Sequence, residues 1–193
     1  MIELLTALSL SAIILVTLYP MLYSSVKEWK SMRSRSEKVQ TVRAAMETIE
    51  ADLENAVPFA VKNFQGAENR LSFYTLMALE DSSEEAARRA VARVEYVWED
   101  DGSGKKQLRR SWMAFVPEPH NGLLQGNDTF PSSISDFALS YASYDPARMH
   151  TSWKRSWNQN KAPDSVSVAL TLEASGGDDA LSLQQIIRIP RGS

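Results

Sequence analysis

The sequence predicts an α+β protein, with one long N-terminal helix followed by antiparallel β-sheets. Three observations carry this. Residues Leu4–Tyr23 contain no charge, and fifteen of those twenty positions are apolar. Val39, Val42, Met46, Ile49 and Leu53 then recur at intervals of 3, 4, 3 and 4, the stripe of an amphipathic helix. Six later segments are rich in β-branched and aromatic residues and are separated by turn formers, the pattern of antiparallel strands joined by short connections.

The first element is long enough to span a bilayer. Twenty helical residues extend roughly 30 Å, which matches the hydrocarbon thickness. Its non-apolar members are Thr6, Ser9, Ser11, Thr17 and Pro20; in lipid, the hydroxyls can bond to their own helix backbone. Pro20 should kink the helix. A cleaved secretory signal would need a basic n-region, a shorter apolar core and a small-residue cleavage site. No Lys or Arg precedes the run, and bulky residues follow it at Tyr19-Pro20-Met21-Leu22-Tyr23, so a retained transmembrane helix is the expectation. A buried helix of a soluble protein is the remaining alternative.

The second half of the helix should continue to about Asn55, with Pro58 marking its end. Its apolar stripe covers fewer than three heptads, too short for a convincing coiled coil, and is expected to pack on its own sheet. The organisation expected is residues 1–26 as a transmembrane helix, 27–57 as its amphipathic continuation and 58–193 as a β-rich head. Predicted strands are Arg70–Leu76, Val91–Trp98, Leu108–Phe115, Ile134–Ala142, Ser165–Leu172 and Leu181–Ile189. Phe137, Leu139 and Tyr141 alternate cleanly, as do Val166, Val168, Leu170 and Leu172, so each set should face a core. Ser82–Ala90 carries a capping signature and is expected to form a short helix or ordered loop.

Charge is distributed unevenly along this frame. The 193 residues have a formal charge of −3, which excludes a uniformly basic nucleic-acid-binding surface. Lys27, Lys30, Arg33, Arg35, Lys38 and Arg43 against two acidic residues form a basic collar, while residues 44–193 carry a net −6.

Signals for chemistry are poor. The chain lacks cysteine, so there is no disulfide, thiolate metal site or cysteine nucleophile. His120 and His150 are thirty residues apart and fall in predicted loops, which gives no helical or paired histidine metal site. No Gly-x-Ser-x-Gly elbow is present. Glu99-Asp100-Asp101-Gly102-Ser103-Gly104 has the carboxylates of a calcium loop without EF-hand spacing or its closing Glu; a hairpin turn accounts for Asp-Gly without an ion. Gly102-Ser103-Gly104-Lys105-Lys106 lacks the upstream glycine of a P-loop. No enzyme, cofactor or metal is therefore expected. Trp112, Trp153 and Trp157 lie in or near predicted loops, and Tyr141 and Tyr144 are close in sequence; all five are candidate interface anchors. Covering the core beneath long loops is the alternative for each.

Glu3 stands at the edge of the apolar run, where an unpaired carboxylate is costly. From position alone it can sit among headgroups beside a helix N-terminus that favours an anion. Met1-Ile2-Glu3-Leu4-Leu5-Thr6-Ala7-Leu8, with Pro20 seventeen residues after Glu3, resembles the start of the type IV pilin and pseudopilin superfamily. That resemblance implies that Glu3 neutralises the terminal amine of a neighbouring subunit during assembly. It also places the mature start two residues upstream of Met1, behind a basic leader ending in Gly, so a truncated or misassigned start is expected. The basic collar alone would put that flank in the cytoplasm, whereas the resemblance puts the N-terminus there and the head in the periplasm. The missing basic leader would restore the usual charge bias.

The head narrows the resemblance. Val94-Glu95-Tyr96-Val97-Trp98, a Gly-containing turn and Leu108-Arg109-Arg110 are similar to a strand pair of J-type minor pseudopilins of type II secretion systems. Ile134-Ser135-Asp136-Phe137-Ala138-Leu139-Ser140-Tyr141, the Trp153/Trp157 pair, Ala162-Pro163-Asp164-Ser165-Val166-Ser167-Val168 and Ile187-Arg188-Ile189-Pro190-Arg191-Gly192 follow in the order of that family. The resemblance implies a pseudopilin fold, methylation after leader processing, and a structural role in a pseudopilus tip supporting protein export. It implies as partners the I- and K-type minor pseudopilins, the major pseudopilin and inner-membrane lipid, with no nucleic acid. A minor pilin of a type IV pilus or DNA-uptake system shares the helix and is the nearest alternative. A membrane-anchored periplasmic enzyme or ligand-binding module is the alternative of another class.

Overall fold

A computed structural model describes residues 2–57, 64–79, 88–116, 122–173 and 180–190. The chain forms one long helix and two antiparallel sheets, and divides into two compact units, residues 1–40 and 41–193. Helix α1, Ile2–Glu54, contributes to both.

In the first unit α1 passes through Pro20 without interruption, and apolar side chains along it, such as Leu4, Leu8, Leu15, Leu18, Leu22 and Val26, are exposed. Thr6 Oγ1 donates to Glu3 O at 2.9 Å, Ser9 Oγ to Leu5 O at 2.7 Å and Thr17 Oγ1 to Ile14 O at 2.9 Å. Those hydroxyls are thus satisfied within the helix, as lipid requires. The segment is long and apolar enough to cross a membrane, and it fits a transmembrane helix. Farther along, Arg33 and Glu37 form an exposed i,i+4 ion pair at 3.0 Å.

In the second unit Val42, Met46, Ile49 and Leu53 of the predicted stripe are buried, joined by Ala45 and Ala56, whereas Val39, its first member, is half-buried. The first sheet has strand order β1-β2-β3-β4-β5, built from Gln65–Gly66, Arg70–Leu79, Arg88–Asp100, Lys106–Val116 and Gly122–Thr129. Its inward face is set by register. Leu71 lies opposite Tyr96, Phe73 opposite Val94 and Thr75 opposite Ala92, and Trp98 faces Leu108 across β3 and β4. The chain leaving α1 joins this sheet: Val57 N donates to Tyr74 O at 2.8 Å and Leu76 N to Asn55 O at 3.0 Å.

The second sheet has order β7-β6-β8-β9, from His150–Lys154, Ile134–Asp145, Ser165–Leu172 and Ser182–Arg188. Phe137 pairs with Leu170, Leu139 with Val168 and Tyr141 with Val166, so the two alternating sets predicted separately share one buried face. A register shift between Ile134 and Asp136 marks a bulge near the start of β6. Gln185 on β9 donates to the Glu50 carboxylate of α1.

The structure departs from the sequence-based expectation in three places. Of Ser82–Ala90, expected as a short helix or ordered loop, residues 82–87 lie outside the described residues and Arg88–Ala90 belong to β3. Strands β5 and β7 were not expected. Gly122-Leu-Leu-Gln-Gly-Asn-Asp-Thr has poor β propensity, and pairing with β4 imposes its extended form. His150 opens β7 opposite Asp145 instead of lying in a loop, through the pairing of β7 with β6; His120 lies outside the described residues.

The Asp-Gly turn between β3 and β4 is a hairpin. Gly102 and Gly104 adopt φ of 89° and 84°, the left-handed region that glycine enters without a Cβ penalty. Asp100 Oδ1 accepts from Gly102 N at 2.8 Å and Gly104 N at 3.0 Å, while Asp101 Oδ1 accepts from Ser103 N and Oγ. The Ser103 hydroxyl holds the Asp101 carboxyl below its ordinary pKa. These carboxylates close the turn.

Candidate functional site

Two groups of residues matter for a protein whose sequence points to docking: the polar clasp that ties the helix to the head, and the aromatic side chains available at its surface. The clasp begins at Asp52, on the stripe of α1 between Ile49 and Leu53. Its carboxylate faces β3 and β4. Arg110 Nε donates to Asp52 Oδ2 at 2.8 Å and Arg110 Nη2 to Asp52 Oδ1 at 3.0 Å, a bidentate fork. Tyr96 Oη donates to Asp52 Oδ2 at 2.6 Å. Arg110 Nη1 reaches Asp128 Oδ2 on β5 at 2.6 Å, and Thr75 Oγ1 donates to Asp52 O at 2.8 Å. One helix residue thus holds β2, β3 and β4, and through Arg110 also β5.

Asp52 and Arg110 are 9% and 8% exposed, so each charge depends on the other for what water would supply. Burial opposes the charge of Arg110, but its hydrogen bonds and proximity to Asp52 outweigh this and hold the guanidinium more firmly protonated than usual. Burial first, and the Asp52 carboxylate second, push the Tyr96 hydroxyl well above the ordinary tyrosine range.

The clasp was missed from sequence, although a signal existed. Arg110 occupies a position of the Leu108, Ala114 and Val116 alternation that faces inward, and Asp52 interrupts an apolar helix stripe. A charge at such positions must be paired or it destabilises the fold.

The five aromatic candidates separate by burial. Tyr141 and Trp157 are 0% and 1% exposed, so their side chains serve the core and not a docking face. Tyr141 Oη donates to Ala67 O at 2.8 Å, and Trp157 Nε1 to Lys161 O at 2.7 Å. Burial raises the Tyr141 pKa above its ordinary value. Gly66 and Trp157 exchange backbone hydrogen bonds of 2.9 and 2.7 Å. A side chain at Gly66 would run into the Tyr141 ring, which packs edge-on to Phe64.

Trp112 is half-buried on β4, its ring lying over Gly126 of β5, where a Cβ would come within 2.6 Å. Trp153 and Tyr144 are exposed on neighbouring strands β7 and β6, with Tyr144 N donating to Asp164 Oδ2 at 2.7 Å. The predicted anchors therefore do not form one cluster. Glu3 lies in the first turn of α1, and Pro20 lies inside that helix.

A cleft of about 560 Å3 opens beside β2, lined by Phe64, Phe73, Tyr74, Tyr144, Pro163 and Ile189 among others. Aromatic and proline side chains make up half of its lining, which also includes Asn160, Lys161 and Asp164, the last accepting from Tyr144 N. Among the described residues no group of three His, Cys, Asp or Glu could hold a metal ion.

Comparison with known proteins gives one family. The model described as "Type II secretion system (T2SS), protein J" matches residues 20–179. No curated protein and no solved structure matches the chain.

Proposed function

The chain belongs to the type II secretion system protein J family, whose model matches most of its length, and from that premise we propose that it is a structural subunit at the tip of the pseudopilus. The family is a structural component of the secretion machine and not an enzyme family, and the chain is a minor pseudopilin of type II secretion. The match itself carries the reading, because it begins inside the apolar helix and runs through the first sheet and on past β8 of the second. It also favours secretion over the type IV pilus or DNA-uptake alternative.

In the proposed mechanism α1 anchors the subunit in the inner membrane as a single pass, with the head in the periplasm. Glu3 neutralises the terminal amine of an adjacent subunit inside the apolar bundle, where an unpaired carboxylate costs about 1–3 kcal/mol. Pro20 bends the helix to let neighbours pack. The head docks laterally on the I- and K-type minor pseudopilins, with Trp153 and Tyr144 as exposed aromatic anchors and Trp112 as a half-buried one.

The test is complementation. Host cells lacking this chain should retain type II substrates in the periplasm, and the full-length chain should restore export. The Glu3→Leu chain should insert in the membrane but fail to restore it. Normal export in cells lacking the chain would overturn the proposal.

A further inference from the structure

We propose that β5 is a strand-addition site: its free edge takes an extended segment of another protein as a sixth strand of the first sheet. The inference deepens the assembly reading above, and rests on it, by naming how the head holds a partner.

β5 is the outer strand of its sheet, with β4 on one side and, among the described residues, no strand on the other. Every second residue of such a strand directs its N–H and C=O away from the sheet, a template for another chain. Natural proteins blunt these edges with proline, lysine, bulges or very short strands. β5 lacks all four, and its one charged side chain, Asp128, turns inward to Arg110 at the end of the strand away from Leu123 and Leu124. It runs for eight residues, Gly122–Thr129, in unbroken register with β4 and without Pro, Lys or Arg. The other sheet edges differ: β1 has only two residues, β7 ends in Lys154, and β9 carries Arg188 beside Pro190.

The side chains of β5 also favour an occupant. Leu123 and Leu124 point to opposite faces and are 56% and 47% exposed. Register places Leu123 opposite Phe115 on β4, and Phe115 opposite Val91 on β3. Phe115 is 69% exposed, so an apolar row crosses the outer face and stops at the free edge. An added strand would continue it. Toward the other end, Gln125, Asn127 and Thr129 are polar, and Asp128 is paired with Arg110. The fitting segment is therefore extended, apolar at the two positions meeting Leu123 and Leu124, and polar beyond.

A second copy of this chain fits poorly. A two-fold axis sets Leu123 against Leu123 only when the antiparallel overlap shrinks to Gly122–Leu124. Longer overlaps set it against Gln125, Asn127 or Thr129, since a two-fold interface must be self-complementary.

The experiment is hydrogen exchange on the full-length chain in detergent micelles, alone and with the purified I-type and K-type pseudopilins of the same system. With a partner bound, alternate β5 amides should exchange about tenfold or more slowly. The Leu123→Lys/Leu124→Lys chain, whose substitutions lie at exposed positions, should keep its melting temperature and lose that protection along with about tenfold or more in affinity. Partner binding that leaves 122–129 unprotected would overturn strand addition while the assembly reading stands. Absence of binding to either pseudopilin would overturn both. Protection appearing in the chain alone as its concentration rises would assign the edge to a second copy and refute the proposal.

Discussion

Replacing Arg110 with Met should destabilise the head severely, although it exchanges a charged side chain for an apolar one of comparable length. The substitution removes the bidentate partner of Asp52 and leaves a carboxylate that is 9% exposed with the Tyr96 hydroxyl and little else. Breaking a buried ion pair from one side costs about 3–5 kcal/mol, because the remaining charge is neither solvated nor paired. For a unit of this size each kcal/mol lowers the melting temperature by about 2–4 °C, so a loss of about 6–20 °C is expected. The assay is thermal unfolding of the full-length chain in detergent, followed by the near-ultraviolet circular dichroism of its tryptophans. The decisive comparison is the Asp52→Leu/Tyr96→Phe/Arg110→Met chain, from which both buried charges and the stranded hydroxyl are gone, leaving only the solvent-exposed Asp128 carboxylate. Concerted apolar replacement of buried ion pairs is commonly neutral or stabilising, so this chain should melt far closer to the parent than Arg110→Met does. A loss under about 1 kcal/mol in the single variant would refute the claim that the clasp is desolvated. Additive losses in the triple variant would refute the claim that its members act as one unit.

Tyr96 and Tyr141 have raised pKa values in the folded state, so the folded chain retains protons that the unfolded chain releases. Their contribution is intact below the unfolded tyrosine pKa of about 10 and should fall above it by about 1.4 kcal/mol per pH unit for each tyrosine. Denaturant midpoints measured from pH 9 to 11 should show that decline, and Tyr141→Phe should flatten it. Gly66→Ala should cost about 1–3 kcal/mol by overpacking, because the Tyr141 ring that its Cβ would strike is confined by Phe64 and Trp157; Tyr141→Leu in the same chain should recover part of the loss in a urea titration. Trp157→Ala should cost about 3–5 kcal/mol in that titration. Trp153→Ala should leave stability within about 0.5 kcal/mol and, on the docking proposal, weaken binding to the partner pseudopilins in a pull-down of the full-length chain.

The strands legible in advance were those whose local chemistry agrees with their final surroundings. Ser165–Leu172 was bounded correctly because four alternating aliphatic residues and its flanking turns leave little choice of period or length. β5 was not legible, since its glycines, Asn127 and Asp128 resist extension until the ladder to β4 is formed. The aromatic candidates show the same limit. Tyr141 and Tyr144 lie on one strand, three residues apart, yet one is fully buried and the other is exposed. Their spacing places them on opposite faces, but only packing decides which face meets the core.

Sequence alone determined the apolar run Leu4–Tyr23, the stripe from Val42 to Leu53 and the alternation of most strands, because transfer from water to an apolar phase acts residue by residue and leaves a period in the chain. Tertiary structure decided which charges could be buried. Asp52 and Arg110 are 58 positions apart, and no local pattern pairs an acid on a helix with a base on the fourth strand after it. It likewise left β5 open at the sheet edge, because strand order is set by which long-range pairings form, and those energies belong to pairs of residues rather than to any single position.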